Sequence, residues 1–262
     1  MSLSEVFSGA RAESRAALIG YLPAGFPTVA GSKDHLRSMI DAGCDLVEVG
    51  LPFSDPVMDG PTIQAAAEQA LSAGFRVRDL FDVVASVADA GGRAVVMTYW
   101  NPVLRYGVDA FARDLAAAGG LGLITPDLVP DEAGDWLAAS EAHGLDRTFL
   151  VAPSSTEERI AMTARSSSGF LYATAVMGVT GARDVVSSAA PELVARVREH
   201  TSLPIGVGLG VRSGAQAAEI AGFADGVIVG SAFVSAVADG DDAVRALAAD
   251  LAKGVRSAAA TV

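Results

Sequence analysis

Apolar residues follow two alternating rhythms along the chain. Short, nearly continuous runs read as buried strands at 17–21, 45–50, 94–99, 121–125, 148–152, 170–175, 205–207 and 227–229. Between them, apolar side chains recur at helical spacing. Leu36, Met39 and Ile40 form one such stripe; Ile63, Ala66, Ala67, Ala70 and Leu71 form the next, and Leu80, Val83, Val84 and Val87 a third. Phe111, Leu115 and Ala118, then Leu193, Val194 and Val197, repeat the pattern, and residues 243–251 predict a closing helix. A short helix over 3–10 precedes the first strand, and Trp136 and Leu137 belong to a helix that covers the sheet. Pro23, Gly25 and Pro27 force a loop, Asn101 and Pro102 end the third strand, and Pro126 and Pro153 end the fourth and fifth. Thr156, Glu157 and Glu158 read as an acidic helix start, and residues 257–262 are expected to fray.

Eight strands separated by helices predict a (β/α)8 TIM barrel with additional short helices and long active-site loops, in one domain spanning 1–262. Closing the sheet removes both edge strands without a long linker. An open, doubly wound sheet is the alternative, because strand-helix alternation does not by itself distinguish closure from openness. With 262 residues, 51% apolar content and 28 glycines, the chain can bury a full core and turn tightly many times. A formal charge of −12 argues against a general nucleic-acid or anionic-membrane binder. Cys44 is alone, so no intrachain disulfide forms, and it reads as a buried inert thiol. No apolar run approaches membrane-spanning length, and the first residues lack a signal-peptide core, so a cytoplasmic location is expected.

The candidate chemistry starts at Glu48, which interrupts the apolar strand Leu46, Val47, Val49. A carboxylate there is costly unless it is solvated, paired or used, which makes Glu48 the first catalytic candidate beside the reading of a glutamate held by a core hydrogen bond or salt bridge. Asp59 follows in a loop just before helical sequence, where it is either a turn residue or a second acid able to share the work with Glu48. Asp55, before Pro56, reads more simply as a loop-shaping or partner-facing acid. Tyr99 and Tyr172, both placed in strands, can bring phenolic oxygens to the same pocket, with Leu51 and Phe53 as cover or loop packing. Late glycines give a different chemistry: Gly181, Gly210, Gly230 and Ser231 follow the last strands, where small residues let backbone N–H groups hold a phosphate. Neither a dinucleotide fingerprint nor a Walker A sequence is present, and His35, His143 and His200 have no metal-ligand spacing.

Several stretches together carry a resemblance. Residues 48–56, Glu-Val-Gly-Leu-Pro-Phe-Ser-Asp-Pro, are followed by Asp59-Gly-Pro-Thr-Ile-Gln64; Tyr99-Trp-Asn-Pro102, Pro126-Asp-Leu128, Gly178-Val-Thr-Gly181, Gly208-Leu-Gly210 and Asp225-Gly-Val-Ile-Val-Gly-Ser231 come after in that order. In this the chain resembles the alpha subunit of tryptophan synthase over essentially its whole length. The resemblance implies a barrel that cleaves indole-3-glycerol phosphate to indole and glyceraldehyde 3-phosphate, with Glu48 and Asp59 as the catalytic acids. It places Tyr172 near the glycerol phosphate, Gly181, Gly210, Gly230 and Ser231 at the phosphate, and Tyr99 in the aromatic wall around the indole. It also implies no cofactor in this subunit, a beta subunit partner that uses pyridoxal phosphate, an alpha2beta2 complex through which indole is channelled, and covers formed by residues 53–60 and 177–188. Asp55, Asn101 and Pro102 then belong near the partner. Another phosphate-binding barrel acting on a sugar phosphate, and a catalytically silent partner-binding subunit, are the competing readings.

Overall fold

The structure, a computed structural model, describes residues 2–174, 189–208 and 210–258. Its chain order is α1 (Leu3–Ala12), β1 (Ala17–Pro23), α2 (Val29–Asp41), β2 (Leu46–Gly50), α3 (Pro61–Ser72), α4 (Val77–Asp89), β3 (Ala94–Met97), α5 (Trp100–Tyr106), α6 (Val108–Ala117) and β4 (Gly122–Ile124). Then come α7 (Gly134–His143), β5 (Asp146–Thr148), β6 (Leu150–Val151), α8 (Glu157–Ser166), β7 (Leu171–Thr174), α9 (Ala189–Arg198), β8 (Ile205–Gly208), α10 (Gly214–Ala221), β9 (Gly226–Val229), α11 (Ser231–Ala238) and α12 (Asp241–Ser257).

All strand pairs are parallel, in the order β5-β4-β3-β2-β1-β9-β8-β7-β6. The two ends of that series, β5 and β6, are separated in the chain only by Phe149, so they are halves of one interrupted strand. Across the interruption, Tyr172 N–H donates to the Phe149 carbonyl at 3.1 Å, and the sheet closes into the eight-stranded barrel. The expected fifth strand over 148–152 therefore starts earlier and is divided, which is the price of serving two neighbours with one short segment.

Alternation along the strands separates two cores. Leu18, Leu22, Val47, Val49, Val96, Leu123, Val207 and Val229 face the helices. Ala17, Ile19, Leu46, Val95, Ile124, Phe170 and Ile228 face the barrel interior, where they meet Leu3, Val6, Phe7 and Ala10 of α1. That helix closes the N-terminal mouth, with the Phe7 and Phe170 rings 5.2 Å apart. Its first N–H, on Leu3, donates to Asp146 at 2.9 Å, and Arg15 holds Asp45 through two hydrogen bonds of 2.7 and 2.8 Å. Asp45 in turn accepts the Leu18 N–H, so the starts of β1 and β2 are fixed together. The mouth at the strands' C-terminal ends is left for function.

Two sequence expectations need correction here. β3 stops at Met97, so Tyr99 is the residue preceding α5 rather than a strand residue, and Asn101 and Pro102 lie in the first turn of α5 rather than at a strand end. Proline is tolerated there because the first helical N–H groups have no intrahelical acceptor. Helix α10 escaped the periodicity because small residues dominate it, and α11 is a further helix, with Phe233, Val234 and Val237 on its buried face. Residues 175–188, Leu209 and residues 259–262 lie outside the described residues.

Candidate active site

Glu48 is the third of five residues in β2, on the interior face, opposite Tyr21 of β1 in register. It is 1% exposed, and neither carboxyl oxygen meets a hydrogen-bond partner in the protein. Burial raises it to about 8, so the carboxyl is protonated at neutral pH. This is a poised acid: an aliphatic strand supplies rigidity and desolvation, and nothing competes for the proton.

Asp59 ends the loop that leaves β2, immediately before Gly60 and Pro61 start α3. Burial raises this half-buried carboxyl too, but the neighbouring Tyr99 phenol favours its anion and opposes the rise. Gln64 fixes the local backbone by donating to the Asp59 carbonyl at 2.7 Å. The two acids thus sit in different environments, one without a donor and one with a phenol, which is how a pair divides proton donation from charge stabilisation.

Tyr99 is buried, and its oxygen accepts the Met58 N–H at 3.0 Å. Its ring stands 5.4 Å from Phe53 at an interplanar angle of 37°. Burial first and Asp59 second push this phenol up to about 12. Tyr172, on β7, faces the interior as expected; burial first, then Glu48, raises it well above the usual phenol range. The space for its hydroxyl comes from Gly208, where a methyl group would lie 2.5 Å from Tyr172 Oη.

Sequence reasoning missed Tyr21. Burial is the main cause that raises its phenol, followed by Asp59, Glu48, Tyr99 and Tyr172, so this side chain lies among all four. A methyl group at Gly50 would come within 2.6 Å of its ring, while one at Gly230 would be 3.6 Å from its Cδ1. Tyr21 therefore spans from the carboxylate side of the mouth to the glycine side. The signal that could have found it was alternation: Tyr21 shares the inward parity of Ile19 and lies beside Glu48.

On the glycine side, Gly210 follows β8 with φ of 69°, a backbone conformation that favours glycine. Gly230 precedes α11, and Ser231, buried, is its first residue. Since β8 and β9 are paired, these residues approach from adjacent strands. Gly181 lies outside the described residues. Around the mouth, Leu51 is buried, Phe53 is half-buried and Asp55 is exposed. The histidines are engaged elsewhere, His35 with Asp241, His143 with Asp109 and His200 with Glu157. Cys44 is buried and free, and burial pushes its thiol up. No group of three or more potential metal ligands occurs among the described residues.

The chain is similar to known proteins over nearly its whole length. The family described as tryptophan synthase alpha chain matches residues 7–261. The chain is 70% identical to the tryptophan synthase alpha chain of Nocardia farcinica, across 98% of this chain and 96% of that one. It superimposes on a chain of Mycobacterium tuberculosis tryptophan synthase with a TM-score of 0.94 at 65% identity, covering 97% of this chain and 98% of the other. With the tryptophan synthase alpha chain of Legionella pneumophila the TM-score is 0.85 at 29% identity, over 97% of each.

Proposed function

Because the chain belongs to the tryptophan synthase alpha chain family, we propose that Glu48 and Asp59 perform its reaction. The enzyme is a carbon–carbon lyase of tryptophan biosynthesis that cleaves indole-3-glycerol phosphate to indole and glyceraldehyde 3-phosphate. The observation that carries the assignment of Glu48 is its buried, partnerless carboxyl at the inner face of the barrel.

Direct scission would expel a poor carbanion. Glu48 instead delivers its proton to indole C3, and the ring becomes an electron-deficient iminium. Asp59 accepts a hydrogen bond from the indole N–H and stabilises the positive charge that develops there. The carboxylate left on Glu48 then takes the proton of the glycerol hydroxyl next to the scissile bond. As the C–O bond becomes a carbonyl, the C–C pair returns to the ring, releasing indole and the aldehyde. Glu48 ends protonated, ready for another turnover.

Tyr172 faces the glycerol portion, and Tyr99 contributes to the wall of the indole side. Gly181, Gly210, Gly230 and Ser231 hold the phosphate through backbone N–H groups and the Ser231 hydroxyl. This needs no basic side chain, in keeping with the acidic chain. The family uses no cofactor of its own for this step.

The beta subunit, with its own pyridoxal phosphate, is the proposed partner in an alpha2beta2 complex that channels indole. Three exposed large apolar residues support a docking face on one rim: Val57, Leu104 and Val129 lie after β2, β3 and β4. Asp55, Asn101 and Pro102 lie on the same segments, and residues 53–60 and 177–188 are the proposed covers. The whole chain, 1–262, is read as one barrel domain with a cytoplasmic location; among the described residues no helix is long and apolar enough to cross a membrane.

Indole release from indole-3-glycerol phosphate, with and without the cognate beta subunit, tests the assignment. Glu48→Gln should fold and bind ligand but lose release by about 10²–10⁴-fold, the scale of general acid–base catalysis. Wild-type release by that variant would remove Glu48 from the chemistry.

A further inference from the structure

Tyr99 links two βα units through a single side chain. Two residues beyond the end of β3, it stands at the start of α5, and the next backbone N–H, on Trp100, donates to Asp127 Oδ1 at 2.9 Å. The chain is therefore fixed where the Tyr99 side chain departs. That side chain reaches back to the preceding unit, where its ring packs 5.4 Å from Phe53 and its oxygen accepts the Met58 N–H at 3.0 Å. The phenol keeps one proton to donate, and Asp59, the residue after Met58, is near enough for the phenol to favour its anion. The loop bearing Asp59 is thus held near its beginning by an aromatic contact and near its end by the Met58 hydrogen bond.

The loop needs such a brace. Residues 51–60 contain neither strand nor helix, whereas Glu48 is held within the sheet. A carboxylate on a loop reaches catalytic precision only when other groups limit its rotamers and backbone. Tyr99 is anchored on the neighbouring unit and can supply that limit.

We propose that Tyr99 is a positioning residue for the cleavage: its phenol, held by the Met58 N–H, donates to Asp59 and aims that carboxylate at the indole N–H. This rests on the assignment of Asp59 above. The Tyr99 oxygen is then committed to the loop, and only its ring is left to line the indole side. The hydrogen bond also favours the Asp59 anion, while Glu48, with no donor, keeps its proton.

The experiment follows indole release by the full chain across pH for wild type, Tyr99→Phe, Phe53→Leu and Asp59→Asn, with thermal unfolding of each. Tyr99→Phe keeps the ring and deletes the oxygen. Its kcat should fall about tenfold or more, the scale of a hydrogen bond to a charged group. The acid limb of kcat/KM, set by Asp59 ionisation, should move about one unit to higher pH while the alkaline limb stays in place. Phe53→Leu should leave the acid limb unchanged. Fluorotyrosine at position 99 retains the shape and donates more strongly, so it should move the acid limb to lower pH even if Tyr99→Phe folds poorly. An unmoved acid limb in both Tyr99 variants overturns the proposal, whatever their rates. Wild-type turnover by Asp59→Asn overturns the assignment of Asp59 itself, which distinguishes the two failures.

Discussion

In the folded chain the Glu48 carboxyl titrates near 8, against 4.5 for an ordinary glutamate. Between those values the native state retains a proton that the unfolded state has lost, so this residue makes stability fall as pH rises. Its contribution is fully favourable below about 4.5 and is lost as pH rises through about 8. Glu48→Gln should therefore be more stable than wild type by roughly 3–5 kcal/mol above pH 8 and no different in acid. Urea unfolding at the two extremes checks this, and equal stability gaps at both would refute it. Glu48 was legible in the sequence because an acid in an apolar strand is an anomaly. Tyr21 was not, since a tyrosine in a strand is ordinary until register sets it beside that acid. Tyr172 was legible as a pocket residue, but its dependence on Gly208 was not. Gly208→Ala places a methyl 2.5 Å from Tyr172 Oη and must displace the phenol. Indole release should fall at least tenfold, as expected for misplacement of about an ångström in an active site; an unchanged rate would show that Tyr172 Oη is dispensable.

Whole elements were easier to read where side chains were large. The stripe of Leu80, Val83, Val84 and Val87 is buried along α4 as its spacing demanded. In α10, glycine and alanine leave too little hydrophobic contrast to reveal a helical face. The division of β5 from β6 could not be read locally either, because it arises from pairing with β4 on one side and β7 on the other. Helix α1 shows how an easily read element acquires a role only in three dimensions: its apolar side, Leu3, Val6, Phe7 and Ala10, stops the N-terminal mouth. Phe7→Ala should cost about 3–5 kcal/mol, the usual loss for a buried aromatic ring. Gly9 lies in the same helix with nothing within 4 Å of an added methyl. Gly9→Ala should stabilise by about 0.4–1 kcal/mol through the unfolded chain's lost freedom. Opposite shifts of the two midpoints in urea would support the plug; a neutral Phe7→Ala would sink it.

At the scale of the molecule, the two ends of the barrel have opposite needs. One is filled by α1 and tied by Arg15 and Asp45, while the other must admit a substrate and holds its acids on adjoining segments. Val57, Leu104 and Val129 are the exposed large hydrophobic residues among those described, and all three lie on successive segments at this open end. Scattered apolar residues on a surface need no explanation, but their grouping on one rim fits a face covered by another chain. Leu104 gives the cleanest test because it is 55% exposed and belongs to α5 rather than to the loop bearing Asp59. Leu104→Glu should change the stability of the chain by no more than about 0.5 kcal/mol, as for an ordinary surface substitution. Indole release by the isolated chain should persist, because no catalytic group is touched. Titration with the beta subunit should instead require at least about tenfold more partner, since a charge would be buried against an apolar surface. Val129→Glu should act in the same direction from the neighbouring segment. If both variants saturate at the wild-type concentration, the partner does not cover this rim, and the three residues are ordinary exposed hydrophobics.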